Sequence, residues 1–175
     1  MSSHKFNTII KGATIYNGTG EDSYRADVGI CGEKIVAIGD LNSDGANIID
    51  ARGLSLMPGI IDVHTHYDAQ ITWDPTLSPS PSMGVTTAVM GNCGFGIAPC
   101  PPERQEIMLK NLSVVEGMNL KTLLEGTQWK FESFPDYLKY IDQQRPHANV
   151  AVLVGHSAIR TAVMGDDSFV RIKPT

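Results

Sequence analysis

The side chains best suited to chemistry are two histidines one residue apart, in Pro58-Gly59-Ile60-Ile61-Asp62-Val63-His64-Thr65-His66. Residues i and i+2 of a strand point to the same face, so two imidazoles at one strand end converge. Neutral imidazole is a good zinc ligand, and zinc sites take three or four such donors. The bland alternative is a pair of surface histidines on an edge strand. The apolar run ahead of them favours the metal, because burying two unpaired imidazoles is costly. A third donor follows a second apolar run, in Gly91-Asn92-Cys93-Gly94-Phe95-Gly96. If the two strands are parallel neighbours, the Cys93 thiolate reaches the same rim as His64 and His66, and thiolate binds zinc strongly. Taken alone, Cys93 reads as an inert buried thiol. As a nucleophile it lacks an obvious histidine base.

Other candidates carry less. Asp62 projects to the same face as His64 and either accepts a hydrogen bond from a ligating ring or closes a turn. Asp68, in the following loop, either acts in the same way or is a solvated side chain, the second being the ordinary state of such a residue. Glu116, in Val114-Val115-Glu116-Gly117-Met118, ends an expected helix, where its charge opposes the helix dipole. His156 follows a third apolar run and is either a substrate contact, an extra ligand or a structural histidine. Arg160 either pairs with a substrate carboxylate or makes a surface salt bridge. Cys31 reads as hairpin packing and Cys100, between two prolines, as a loop residue.

The elements that must position these groups fall into two regions. Up to about Leu56 the chain reads as short strands rich in β-branched residues. Asp27-Val28-Gly29-Ile30-Cys31 and Lys34-Ile35-Val36-Ala37-Ile38 flank Gly32-Glu33 as a hairpin, and Asn47-Ile48-Ile49-Asp50-Ala51 is a further strand. Beyond it, three nearly continuous apolar runs suit strands buried on both faces of a parallel sheet: Gly59 to His64, Gly84 to Gly91 and Asn149 to Gly155. Between them, residues 103–115 form an expected helix with Ile107, Met108, Leu112 and Val115 on one side. Phe134, Tyr137, Leu138 and Ile141 follow helical spacing behind a capping box of Ser133 and Asp136. Residues 71–83, with three prolines, read as an ordered loop. Strands alternating with helices indicate an α/β fold.

With 175 residues, 42% of them hydrophobic, the chain can bury a core. A net charge of −5 with no Lys/Arg cluster argues against nucleic acid as partner. No apolar leader suggests a signal peptide, and no apolar run reaches the roughly 20 residues that span a bilayer. Three cysteines cannot all pair with one another, which favours a reducing, cytoplasmic setting.

The segment from Pro58 to His66 resembles the first-strand metal motif of the amidohydrolase superfamily, and a β module before it is typical there. Gly84-Val85-Thr86-Thr87 with Met90-Gly91-Asn92-Cys93-Gly94 resembles the N-acyl-D-amino-acid deacylases, or D-aminoacylases. So do Trp73-Asp74-Pro75, Val115-Glu116-Gly117-Met118 and Glu132-Ser133-Phe134-Pro135-Asp136-Tyr137-Leu138. The resemblance implies a (β/α)8 barrel beside a small β-sandwich. Residues 1–56 would belong to the sandwich, and residues 57–175 to the barrel's first three strands. It implies one or two zinc ions held by His64, His66 and Cys93, and hydrolysis of the amide bond of a small N-acylated D-amino acid. The general-base aspartate and the later histidines have no match here and are expected beyond Thr175. A full barrel needs about 250 residues, so the chain is expected to be a fragment, inactive alone. A hydantoinase or dihydroorotase-like cyclic amidase is the related alternative, and the Cys93 element speaks against it. A non-catalytic metal-binding fragment or assembly subunit is the alternative of another class.

Overall fold

A computed structural model of the chain describes residues 6–43 and 45–170, which form two compact units, 1–58 and 59–175. The end of the chain at Lys173-Pro174-Thr175 lies outside the described residues.

The first unit is a single sheet. It contains β1 (Thr8–Ile15), β2 (Tyr24–Cys31), β3 (Lys34–Gly39), β4 (Asn47–Asp50) and β5 (Ser55–Leu56) in the order β3-β2-β1-β4, with β5 also alongside β1. The expected hairpin is present: β2 and β3 run antiparallel, with Gly32 at a φ of 59° in the turn. Ala13, Ile15, Val28 and Ala51 form the unit's buried cluster. Asp27 is also buried and accepts hydrogen bonds from Lys11 Nζ (3.0 Å), the Gly12 N–H (2.8 Å) and the Leu41 N–H (3.2 Å). Cys31 is exposed at the end of β2 instead of packed within the hairpin.

The second unit is built on three parallel strands, β6 (Ile60–Asp62), β7 (Val85–Met90) and β8 (Asn149–Val152), in that order. Helices α1 (Gln105–Glu116), α2 (Leu120–Gly126) and α3 (Phe134–Gln144) lie between β7 and β8 in the chain, and α4 (His156–Met164) follows β8. One core joins Ala88 and Met90 of β7 to Met108 and Leu112 of α1, Leu123 of α2 and Tyr137 of α3. Cys100 belongs to this core, and burial, helped by the Glu103 charge, pushes its thiol up to about 12. Ser133 caps α3 as its spacing suggests, accepting from the Asp136 N–H and donating to the Asp136 carboxylate.

Three expectations need correction. The β6 run is not buried on both faces: Ile61 is 60% and Val63 68% exposed, because β6 pairs with β7 alone among the described residues. On α1, Leu109 is buried in place of Val115, because the helix also packs against α2 and its buried stripe turns that way. On α3, Tyr140 is buried in place of Leu138, and its hydroxyl satisfies the Thr72 carbonyl at 3.1 Å.

Candidate metal centre

Parallel strands present all their carboxyl ends on one edge, and loops leaving that edge are where such sheets place ligands. His64 and His66 leave β6 there, Cys93 leaves β7, and His156 opens α4 just after β8. The strand proper ends at Asp62, so the histidines sit in the following turn. Thr65, between them, keeps that turn against the sheet: its N–H and its Oγ1 both donate to the Val89 carbonyl, at 3.0 and 2.8 Å. With the buried Thr65 pointing in, His64 and His66 share the opposite side, and their ring centroids stand 5.2 Å apart.

Cys93 enters by an unusual backbone. It sits in a one-turn 3-10 segment at a φ of 54°, between Gly91 at 78° and Gly94 at 76°. The left-handed region costs a residue with a Cβ about 1–2 kcal/mol. The conformation swings the thiol outward, so Cys93 is exposed and not the inert buried cysteine of the bland alternative. Its Sγ lies 3.0 Å from His64 Nε2. One donor atom from each of His64, His66 and Cys93 falls within 4.8 Å of the others. Tetrahedral zinc with bonds of about 2.0–2.3 Å holds its donors roughly 3.4–3.6 Å apart. The three atoms bracket that spacing, and shifts of about an ångström would match it.

Two carboxylates stand behind the histidines. Asp68 is 1% exposed, against the expectation of a solvated side chain. It accepts from the Gly91 N–H at 3.1 Å, and so holds the loop that carries Cys93. Burial pushes its carboxyl up to about 7, against the pull of the Gly91 N–H and its own N–H, and the nearby Glu116 charge adds to the rise. The Asp68 carbonyl in turn accepts from the buried Tyr137 hydroxyl at 2.7 Å. Glu116, at the end of α1, brings Oε1 to 3.1 Å from His66 Nδ1. The distance is that of a hydrogen bond but the alignment is not, so the buried Nδ1 has no hydrogen-bond partner.

The other sequence candidates lie around this cluster with different contacts. Asp62 accepts from the His64 backbone N–H at 3.2 Å, which is the turn-closing alternative and leaves the rings to others. His156 is exposed beside Gly94. Arg160 donates from Nε to the Ser168 carbonyl at 2.9 Å. Thr65 and Tyr137 escape a reading by motif.

The chain matches the amidohydrolase family over residues 47–174. It is 38% identical over 165 residues to the D-aminoacylase of Alcaligenes xylosoxydans xylosoxydans, a stretch covering 94% of this chain and 32% of that protein. The crystal structure of D-aminoacylase superimposes with a TM-score of 0.75 at 38% identity, over 93% of this chain and 32% of the other. N-acyl-D-glutamate deacylase from Bordetella bronchiseptica, solved with zinc and a phosphonate mimic of the tetrahedral intermediate, gives 0.74 at 38% identity over the same shares. The chain thus spans about a third of the length of the relatives it matches. A family match over most of the sequence, joined to two histidines and a cysteine at adjacent parallel strand ends, makes this chain a member of the amidohydrolase family.

Proposed function

We propose that His64, His66 and Cys93 are zinc ligands, for one ion or two, and that the protein hydrolyses the amide bond of N-acyl-D-amino acids to a carboxylate and a free D-amino acid. The observation that carries this reading is the convergence of the three donor atoms within 4.8 Å. The donor chemistry fits the metal: two neutral imidazoles and a thiol are a zinc set, whereas magnesium and calcium take oxygen. The substrate class rests on the similarity to D-aminoacylase and N-acyl-D-glutamate deacylase. Zinc held there supplies Lewis acidity, polarising an amide carbonyl and lowering the pKa of water.

The chain's own residues divide the work. His64 and His66 hold the cation, with Thr65 fixing the turn between them. Cys93 closes the donor set, and Asp68 holds its loop through the Gly91 N–H. Residues 1–56 belong to a composite β-sandwich, and residues 57–175 form the first three strands of a (β/α)8 barrel, a reading supported by the all-parallel order β6-β7-β8. No helix among the described residues is long and apolar enough to cross a membrane, and three free cysteines suit a reducing, cytoplasmic setting.

Metal analysis of the purified chain, with cobalt as a spectroscopic substitute, tests the site. Wild type should show thiolate-to-cobalt absorption, and Cys93→Ser should lose it; identical spectra would exclude Cys93. For the activity, the protein expressed from its complete reading frame should hydrolyse N-acetyl-D-amino acids and spare the L enantiomers. Hydrolysis of cyclic amides alone would overturn the substrate assignment.

A further inference from the structure

We propose that Glu116 is the positioning residue for His66: its carboxylate accepts a hydrogen bond from the His66 Nδ1–H, fixes the tautomer and ring angle, and leaves Nε2 to face the cation. The proposal rests on the reading of His66 as a zinc ligand.

Two observations point the same way. Glu116 Oε1 is 3.1 Å from His66 Nδ1, and both side chains are largely buried, at 15% and 18% exposure. An imidazole nitrogen without solvent and without a partner is costly, and Glu116 brings an acceptor oxygen within reach of Nδ1. Catalytic hydrogen bonds in ligand-free structures are often poorly aligned and tighten in the reacting complex, and at 3.1 Å the two atoms already stand at hydrogen-bond distance.

The second observation is that Glu116 is badly placed for stability. It is the last residue of α1, followed by Gly117 at a φ of 64°, and no basic residue sits in that last turn. A carboxylate there faces the negative end of the helix dipole. A residue that opposes its own helix is poorly explained by fold stability. It is well explained by a cation in front of it, transmitted through His66. Carboxylate–imidazole–metal arrangements of this kind set ligand basicity and orientation, and removing the carboxylate costs about 10–100-fold in metal affinity.

The test compares wild type, Glu116→Gln and Glu116→Ala in the full chain. Histidine-ring nitrogen NMR on the metal-free protein should show His66 protonated at Nδ1 in wild type and shifted towards Nε2 in the alanine variant. Zinc affinity should fall about 10–100-fold in Glu116→Ala and less in Glu116→Gln, whose amide oxygen still accepts. Stoichiometry should stay constant, and the melting temperature of Glu116→Gln should hold or rise as the charge opposed to the helix dipole disappears. Unchanged tautomer and affinity in Glu116→Ala would overturn the proposal. So would the loss of one zinc equivalent, which would make Glu116 a ligand. So would a lowered melting temperature in Glu116→Gln, which would make it structural. If wild type itself binds no zinc, the zinc reading fails separately, and the metal-free tautomer comparison still decides the role of Glu116.

Discussion

Replacing Gly91 by alanine should damage the second unit and the candidate site together. Gly91 has a φ of 78°, and a Cβ built on it would lie 1.9 Å from the Leu153 carbonyl oxygen and 2.9 Å from its carbon. Real Cβ atoms essentially never approach closer than 3.0 Å, so the backbones must separate by at least about 1.1 Å. The contact is with backbone, so no side chain can yield. The Leu153 N–H donates to the Met90 carbonyl at 2.9 Å, next to the substitution, and that bond cannot survive such a separation. Its loss costs about 0.5–1.5 kcal/mol, and holding alanine in the left-handed region costs about 1–2 kcal/mol more. Together these come to roughly 1.5–3.5 kcal/mol, or a fall of roughly 5–18 °C in the melting temperature of a unit this size. The displacement also carries Cys93, two residues on, away from His64. Thermal unfolding by calorimetry, paired with zinc titration, measures both effects. Gly117→Ala is the control: its φ is 64° but nothing stands within 4 Å of an added Cβ, so it should cost only the left-handed penalty. Equal losses in the two variants, or a Gly91→Ala protein within about 0.5 kcal/mol of wild type, would refute the close-approach argument.

Two further outcomes follow from the hydrogen bonds. Tyr137→Phe removes the donor that satisfies the buried Asp68 carbonyl at 2.7 Å, and should cost about 1–3 kcal/mol in denaturant unfolding, with zinc affinity falling alongside. For Asp27, burial raises the carboxyl, but Lys11 and the Leu41 and Gly12 N–H groups outweigh it and hold it below the ordinary 3.8. The unfolded chain therefore takes up this proton at a higher pH than the folded one. The stabilisation is complete above 3.8 and is lost as pH falls through the lower folded value. Acid unfolding of the first unit followed by circular dichroism should show this slope in wild type and a flatter one in Asp27→Asn.

Much of this arrangement is legible in the residue pattern, and what is not has identifiable causes. The β2–β3 hairpin follows from two β-branched runs around a glycine turn, and α3 from a capping box ahead of a helical stripe. Convergence of His64 and His66 follows from their spacing, although they leave the strand before they meet. The burial of β6 does not follow, because an apolar run states that a strand could be covered on both faces and says nothing of what covers it. Helices α2 and α4 also escape: α2 is only seven residues long, and α4 begins at a histidine whose neighbours suggested a strand end. The burial of Asp68 escapes because a charged residue in a turn is ordinarily solvated, and the Tyr137 hydroxyl that bonds its carbonyl comes from an element far along the chain.

Three residues around the histidines share a physical property: each breaks a local rule in favour of something outside its own element. Cys93 adopts a left-handed backbone that disfavours any side chain. Asp68 is buried with its carboxyl raised to about 7, and Glu116 sits against its helix dipole. Left-handed φ values also occur at Leu77 and Arg145, so strain by itself does not mark a site; Arg145 ends α3, a common use of that conformation. What distinguishes Cys93, Asp68 and Glu116 is that all three act on the rim where His64 and His66 emerge. Local conflicts that cluster in space and oppose stability in different ways are hard to retain for folding alone. A cation at that rim would compensate the charge conflicts at once, because the two carboxylates that resist their surroundings would then face positive charge.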